Sequence, residues 1–255
     1  MEKLDGSHKM KISVVTAVYN RESTIAQAVT SVQRQSHPKV EHVIQDGGST
    51  DRTLEIINAL NLRSTSIESR KDKGIYDAIN LGISRATGDV IGLMHSDDFF
   101  AHHEVLAKVA HAFSDPEVDG VYGDLQYVSS LDDSRVVRHW KSGEYHPSKL
   151  KSGWMPPHPT LFLRRSVFEM WGVYDTDFTI AADYDAMLRY LVKGKIEIAY
   201  IPEVLVKMRV GGESNRSLGR IIQKSREDFR AIRRNNVGGL GTLLSKNTSK
   251  IRQFF

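Results

Sequence analysis

The chain of 255 residues is long enough for one α/β domain or two smaller ones, and its 40% apolar and 26% charged residues fit a folded globular protein rather than a disordered chain. It contains no cysteine, which excludes disulfide scaffolds, thiolate metal sites and cysteine nucleophiles; no apolar run of about 18 residues is present to span a bilayer. The net charge of +4 is unevenly spread: residues 207–255 hold twelve Lys or Arg against three Asp or Glu, so a body of charge −5 carries a tail of +9.

Met1 to Lys9 is polar and patternless, with Met10 directly before the first apolar run, and is set aside as a cloning remnant. No basic start followed by an apolar stretch marks a secretory signal, so the expected location is the cytoplasm. Ile12 to Tyr19 predicts a buried strand, Ser23 to Gln35 a helix capped by Ser23 or Thr24, and Val40 to Ile44 a second strand. The turn cluster Asp46-Gly47-Gly48-Ser49-Thr50-Asp51 precedes a helix with Leu54, Ile57 and Leu60 at helical spacing. Ser64 to Glu68 is a weaker third strand, Gly74 to Arg85 a helix with Ile75, Ala78, Ile79 and Ile83 on one face, and Asp89 to Met94 a fourth strand. This alternation predicts a parallel sheet covered by helices on both faces.

Past residue 115 the pattern changes. Val118 to Val128 and Ser134 to Trp140 predict strands about a polar turn, and Leu161 to Leu163 another. Ser166 to Trp171 and Asp183 to Val192 are helical, and Ile196 to Ile201 and Val204 to Val210 read as two strands around Pro202. The expected division is a nucleotide-binding half at 10–115, a second half of the same domain at 116–210, and a basic amphipathic helical tail at 211–255.

Ligands of open parallel sheets bind beyond the carboxyl ends of the strands. Three of the four predicted strands are followed there by acids: Asp46, Asp72, and the pair Asp97 and Asp98. Adjacent carboxylates repel unless compensated. A hard divalent cation does this with one or two protein carboxylates, completing its shell with phosphate oxygens and water. The competing explanation is a helix N-terminus, whose dipole favours acids. No G-x-x-x-x-G-K-[ST], no G-x-G-x-x-G after the first strand, no H-E-x-x-H and no G-x-S-x-G occurs, which disfavours P-loop NTPases, dinucleotide oxidoreductases, zincins and α/β-hydrolases. A second acidic pair, Asp183 and Asp185, opens a predicted helix; Asp185 suits a cap and Asp183 a pocket-facing base.

Four motifs in this order resemble the inverting glycosyltransferases of family 2: the strand Val14 to Asn20, the Asp46 to Asp51 turn, the segment Asp72-Lys73-Gly74-Ile75-Tyr76-Asp77-Ala78-Ile79-Asn80-Leu81-Gly82, and Ala86-Thr87-Gly88-Asp89 before the acidic strand end. The Asp-Gly-Gly and Lys-Gly-Ile-Tyr-Asp wording is similar to the subgroup that builds bacterial exopolysaccharide, such as the colanic-acid transferases. The resemblance, over about Lys11 to Ser217, implies a GT-A fold, a Rossmann-like mixed α/β sheet flanked by helices. It implies a nucleotide-sugar donor contacted by Ala17, Tyr19, Asp46, Asp72, Ser96, Asp97 and Arg209, with Asp46 on the base edge. It also implies Mg²⁺ or Mn²⁺ held by Asp97 and Asp98, and Asp183 as catalytic base.

Three departures qualify it. His95 stands where the first Asp of the metal element is usual, as ligand or as supporting partner; Ala182 replaces a frequent Glu; and Arg209-Val210-Gly211-Gly212 lacks a frequent His, leaving Arg209 to meet the diphosphate by charge. In Trp154-Met155-Pro156-Pro157-His158-Pro159, Trp154 offers a flat face and His158 a polar contact to an acceptor sugar, as does Asp185; a rigid connector is the alternative. The tail places Leu218, Ile221, Ile222, Phe229 and Ile232 on one stripe among Arg216, Arg220, Lys224, Arg226, Arg230, Arg233 and Arg234. It suits either an anionic membrane surface, useful for a polyprenyl-linked saccharide acceptor, or packing on the domain. Rival functions are a sugar-nucleotide-forming nucleotidyltransferase, which calls for a Gly-rich basic opening loop, and a polyanion binder acting through the tail alone. Nucleic acid is not the expected partner.

Overall fold

The computed structural model describes residues 10–210 and 218–249; Met1 to Lys9, Gly211, Gly212 and Arg216 fall outside them. Strand β1 (Ile12–Val18) is buried along its whole length, as a β-branched run without polar alternation requires when both faces are covered. It pairs in parallel with β2 (Val40–Asp46) and β4 (Val90–Leu93), and β2 pairs in parallel with β3 (Thr65–Ser69). Three helices connect these strands: α1 (Ile25–Gln33), α2 (Thr53–Ala59) and α3 (Ile75–Arg85). Val15 and Ala17 of β1 pack with Ala78, Ile79 and Ile83 of α3. Ile12 and Val14 face the opposite layer, with Ala28 and Val32 of α1 and Val105, Leu106 and Val109 of α4 (Val105–Ala112). Each such burial stabilises by about 1.5–3 kcal/mol.

The second half turns the sheet into a mixed one. β5 (Phe99–Phe100), β6 (Gly120–Val128), β7 (Val136–Trp140), β8 (Phe162–Arg164) and β9 (Ile198–Arg209) extend it to the order β3-β2-β1-β4-β8-β6-β9-β5, with β7 also on β6. β8 runs antiparallel to both β4 and β6, whereas β6 and β9 are parallel. The two strands expected around Pro202 are one strand: the register with β6 jumps from Gly123↔Ile201 to Asp124↔Val204, so Pro202 and Glu203 form the irregularity. A residue without an N–H is tolerated there and not within a regular ladder. Two short elements escape the sequence pattern, β5 and α4.

Behind the sheet lie α5 (Arg165–Trp171) and α6 (Ala182–Leu188), the latter continuing as a π-helical turn, Arg189–Gly194. The tail forms α7 (Leu218–Arg234) and α8 (Leu240–Ser249). Its expected apolar stripe divides in two. Ala231 and Ile232 are fully buried in the same core as Tyr184 and Leu188 of α6, while Ile221 and Ile222 are exposed. No described helix is long and apolar enough to cross a membrane.

Candidate active site

The carboxyl ends of β1, β2 and β4 open on one edge, and the turns that follow them hold the first group of expected residues. The Asp46 carboxylate is fully buried and accepts from Gly48 N (3.0 Å), Ser49 N (3.0 Å), Ser69 Oγ (2.6 Å) and Ser49 Oγ. Donors from its own turn and from β3 thus hold the Asp46 carboxylate in place, and Asp46 shapes the loop. The groups that converge on the loop surface are Tyr19, which is exposed, and Asp72, whose Oδ1 accepts from Gly74 N at 2.8 Å. Gly47 lies between them, and a Cβ there would stand 2.5 Å from Asp72 Oδ2 and 3.5 Å from the Tyr19 ring. A side chain there would have to push the Asp72 carboxylate aside. Ala17 is packed in the core beneath, so its side chain does not reach the edge.

The turn after β4 carries the second group. The Thr24 hydroxyl, expected to cap α1, instead donates to the Ser96 carbonyl at 2.9 Å, tying α1 to the acidic turn. Asp98 is buried; Oδ1 accepts from Arg209 N at 3.2 Å, and Oδ2 has no hydrogen-bond partner. Burial, and then the charge of Asp97, raise its pKa well above the carboxylate range. The Arg209 guanidinium bonds the Asp97 carbonyl at 2.5 Å and Gln27 Oε1, and lies 5.0 Å from the Phe99 ring centroid. It is built into the turn as a fixed positive charge rather than projecting from it. Among the described residues no three His, Asp or Glu side chains form a metal cluster, so the expected set of His95, Asp97 and Asp98 is not a ready-made cage. An orphaned buried carboxylate oxygen on Asp98 beside Asp97 nevertheless fits a hard cation that takes most of its shell from phosphate and water.

His95 faces a third group. Its ring lies 5.8 Å from that of His158, and burial lowers its pKa despite the charges of Asp97 and Asp183. His158 is buried; Nε2 lies 2.8 Å from Tyr174 Oη and Nδ1 3.9 Å from Asp183 Oδ2. Burial lowers its pKa to about 4, against the pull of Asp183, so near neutral pH a neutral imidazole borders the carboxylate. Asp183 sits in the first turn of α6 with a quarter of its side chain exposed. Tyr76 Oη donates to the Ile180 carbonyl at 2.6 Å and lies 3.2 Å from Asp183 Oδ1. A partly exposed carboxylate bordered by the Tyr76 hydroxyl and the His158 imidazole is suited to taking a proton from a hydroxyl at that edge.

Asp185 and Trp154, both expected at the acceptor, are placed differently from each other. Asp185 points away from the opening: it is buried, accepts from Asn235 Nδ2 at 2.9 Å, and stands 3.7 Å from Arg189. Trp154 bonds the Ser142 carbonyl through Nε1 at 3.0 Å, stacks on Tyr145 at 5.4 Å and meets Tyr122 edge-on, so one of its faces is already covered. Sequence reasoning missed Tyr76, Tyr174 and Asn80. Asn80 clasps the Tyr174 backbone through both Nδ2 (2.8 Å) and Oδ1 (3.0 Å). Tyr76 and Asn80 lie in the Gly-Ile-Tyr-Asp-Ala-Ile-Asn run, one helical turn apart, and that spacing on α3 was the available signal.

The mixed sheet flanked by helices is of the GT-A type. The model of glycosyl transferase family 2 matches residues 13–172, and the chain belongs to that family; it is a glycosyltransferase. Asp183 and the tail lie beyond the matched segment. A PGL/p-HBAD biosynthesis glycosyltransferase of Mycobacterium bovis is 31% identical over 208 residues, covering 80% of this chain and 78% of its own. An uncharacterized glycosyltransferase of Nostoc sp. is 30% identical over 217 residues, covering 81% and 66%. Among solved structures, S. aureus TarS 1-349 in complex with UDP-GlcNAc superposes with a TM-score of 0.67 at 19% identity, over 89% of this chain and 66% of that one. The mannosyltransferase PcManGT from Pyrobaculum calidifontis, in complex with GDP-Man and Mn2+, gives 0.66 at 17% identity, over 93% and 69%. Against a longer TarS chain, this chain spans 40% of the length.

Proposed function

We propose that this glycosyltransferase inverts the anomeric centre as it moves a sugar from a nucleotide-diphosphate donor, a UDP-sugar first, to a saccharide or lipid-linked saccharide of a bacterial surface polysaccharide. Support comes above all from one observation: Asp183 is partly exposed 3.9 Å from the buried His158, on the side of the acidic turn that His95 faces.

In this mechanism Tyr19 and Asp72 hold the nucleoside against Gly47, and Arg209 keeps a positive charge inside the Asp97 and Asp98 turn. Asp183 accepts the proton of the acceptor hydroxyl as its oxygen forms a bond to the anomeric carbon. The bond to the nucleotide diphosphate breaks on the opposite face, and the electron pair leaves with the diphosphate. Asp97 and Asp98 would hold a Mg²⁺ or Mn²⁺ ion, which when bound would supply charge neutralisation for that leaving group.

The tail would bring the enzyme to the cytoplasmic face of an anionic membrane. Ile221 and Ile222 on α7 and Leu240 and Leu244 on α8 are exposed, and Lys224, Arg226 and Arg230 lie on α7. The test is a panel of UDP- and GDP-sugars scored for thermal stabilisation and diphosphate release with Mn²⁺. Stabilisation by one donor, removed by EDTA, is expected; indifference to every nucleotide sugar would contradict the reading.

A further inference from the structure

The Ile180 to Asp183 segment is gripped from two sides. On one side Tyr76 of α3 donates to the Ile180 carbonyl at 2.6 Å. On the other, a single oxygen of Glu227, on tail helix α7, accepts from Ile180 N at 2.8 Å and Ala181 N at 2.9 Å. Ala181 occupies the N-cap position of α6 and has no capping side chain of its own. Orphan N–H groups at a helix start need an acceptor, and an anion suits the positive end of the helix dipole. Here the acceptor comes from an element some 46 residues further along the chain.

The helix that carries Glu227 is itself fixed. Next to it, Asp228 forms a buried 2.6 Å ion pair with Lys246 of α8. Asn235 bonds Asp185 of α6 at 2.9 Å, and Arg234 pairs with Asp175. Helix α8 in turn lies against Gly153, where a Cβ would stand 2.4 Å from that of Lys246 and where φ is +77°. The tail therefore spans from the base helix to the loop that leads into Trp154.

We propose that Glu227 is a positioning residue for catalysis: it latches the base loop so that Asp183 is presented at a fixed place, making the tail helix a working part of the active site. This rests on Asp183 being the base. A displacement of even 1 Å at a reacting group lowers rate more than it lowers binding of a ligand held elsewhere. Among the described residues no hydrogen bond or ion pair joins Glu227 to Asp72 or Tyr19, which would bind the nucleoside.

The experiment compares wild type with Glu227→Ala, Glu227→Gln, Asp183→Asn and the double variant Asp183→Asn/Glu227→Ala. Nucleotide release is measured with Mn²⁺ from UDP-glucose, UDP-GlcNAc and GDP-mannose, alongside amide hydrogen exchange of the 178–186 peptide. Glu227→Ala should lower kcat by about tenfold or more while donor KM stays within about twofold, and should speed exchange at residues 180 and 181. Glu227→Gln should recover most of both, because its carbonyl oxygen accepts from the same two N–H groups. In the Asp183→Asn background Glu227→Ala should add nothing. Wild-type kcat and unchanged exchange in Glu227→Ala, with Asp183→Asn inactive, overturns the latch and leaves the base assignment standing. Equal impairment of the Ala and Gln variants with a raised donor KM also overturns it, as a general structural defect. Retained turnover in Asp183→Asn overturns the base reading on which the latch depends.

Discussion

The two sides of the opening are built in different ways. On the donor side the turn acids are held largely by their own loops, Asp46 by Gly48 N and Ser49 N with Ser69 added from β3, and Asp72 by Gly74 N, while Asp98 takes Arg209 N from β9. On the base side the side-chain partners of Ile180 and Asp183 are remote. Tyr76 lies 107 residues from Asp183, and Glu227 is 47 residues from Ile180. A site made of local turns keeps its shape from short-range hydrogen bonds, whereas one assembled across the chain depends on the packing of α3, α6 and α7 together. Damage should therefore separate: donor-side changes act on stability and nucleotide affinity, base-side changes on turnover.

The largest expected effect is on the donor side. Asp46→Ala strands two backbone N–H groups and two hydroxyl groups at a fully buried position and should cost about 3 kcal/mol of unfolding free energy by urea titration. A cost below about 1 kcal/mol would mean the turn does not depend on that carboxylate. On the base side, His158→Phe keeps the ring and removes the nitrogens, and should lower kcat about tenfold with donor affinity unchanged. An equal fall in donor affinity would place His158 with the nucleotide and dissolve the contrast.

A pH-dependent effect concerns the buried His42, near the start of β2, whose ring nitrogen lies 2.9 Å from Thr16 Oγ1. Burial lowers its pKa to about 3. The unfolded chain, with an ordinary value near 6.5, then binds more protons between about pH 3 and pH 6.5. Stability contributed by the neutral ring is full above that window and lost as pH falls through it, at up to about 1.4 kcal/mol per pH unit. His42→Gln should flatten the decline of the urea midpoint between pH 6.5 and 4.5; an unchanged slope would contradict a neutral His42.

Much of the donor side was legible in the sequence for the same reason that it is local. The Asp46 to Asp51 turn, the strand ends and the order of four motifs are contiguous, and periodicity places β1 to β4 and α1 to α3 correctly. The role of Asp46 was not legible, because burial and the number of its partners depend on how Ser69 of β3 approaches. On the base side, Asp183 stood out by its place at a helix start, and Asp185 read as a cap; what the sequence did not show is that Asp185 turns inward to Asn235 instead. Which of two acids two residues apart faces the opening is decided by the docking of α7. The same docking buries Ile232 and leaves Ile221 outside, dividing a stripe that helical spacing alone presents as continuous. Pro202 was read as a break between strands because a ladder irregularity and a chain break leave the same mark in a sequence.

The most direct test of the account is Asp183→Asn, with Mn²⁺–nucleotide-sugar binding by calorimetry and nucleotide release measured on the same preparation. Binding within about twofold of wild type with release lowered about 10²–10⁴-fold is the predicted result for loss of a general base. Wild-type release would contradict it, and so would loss of donor binding in step with loss of turnover.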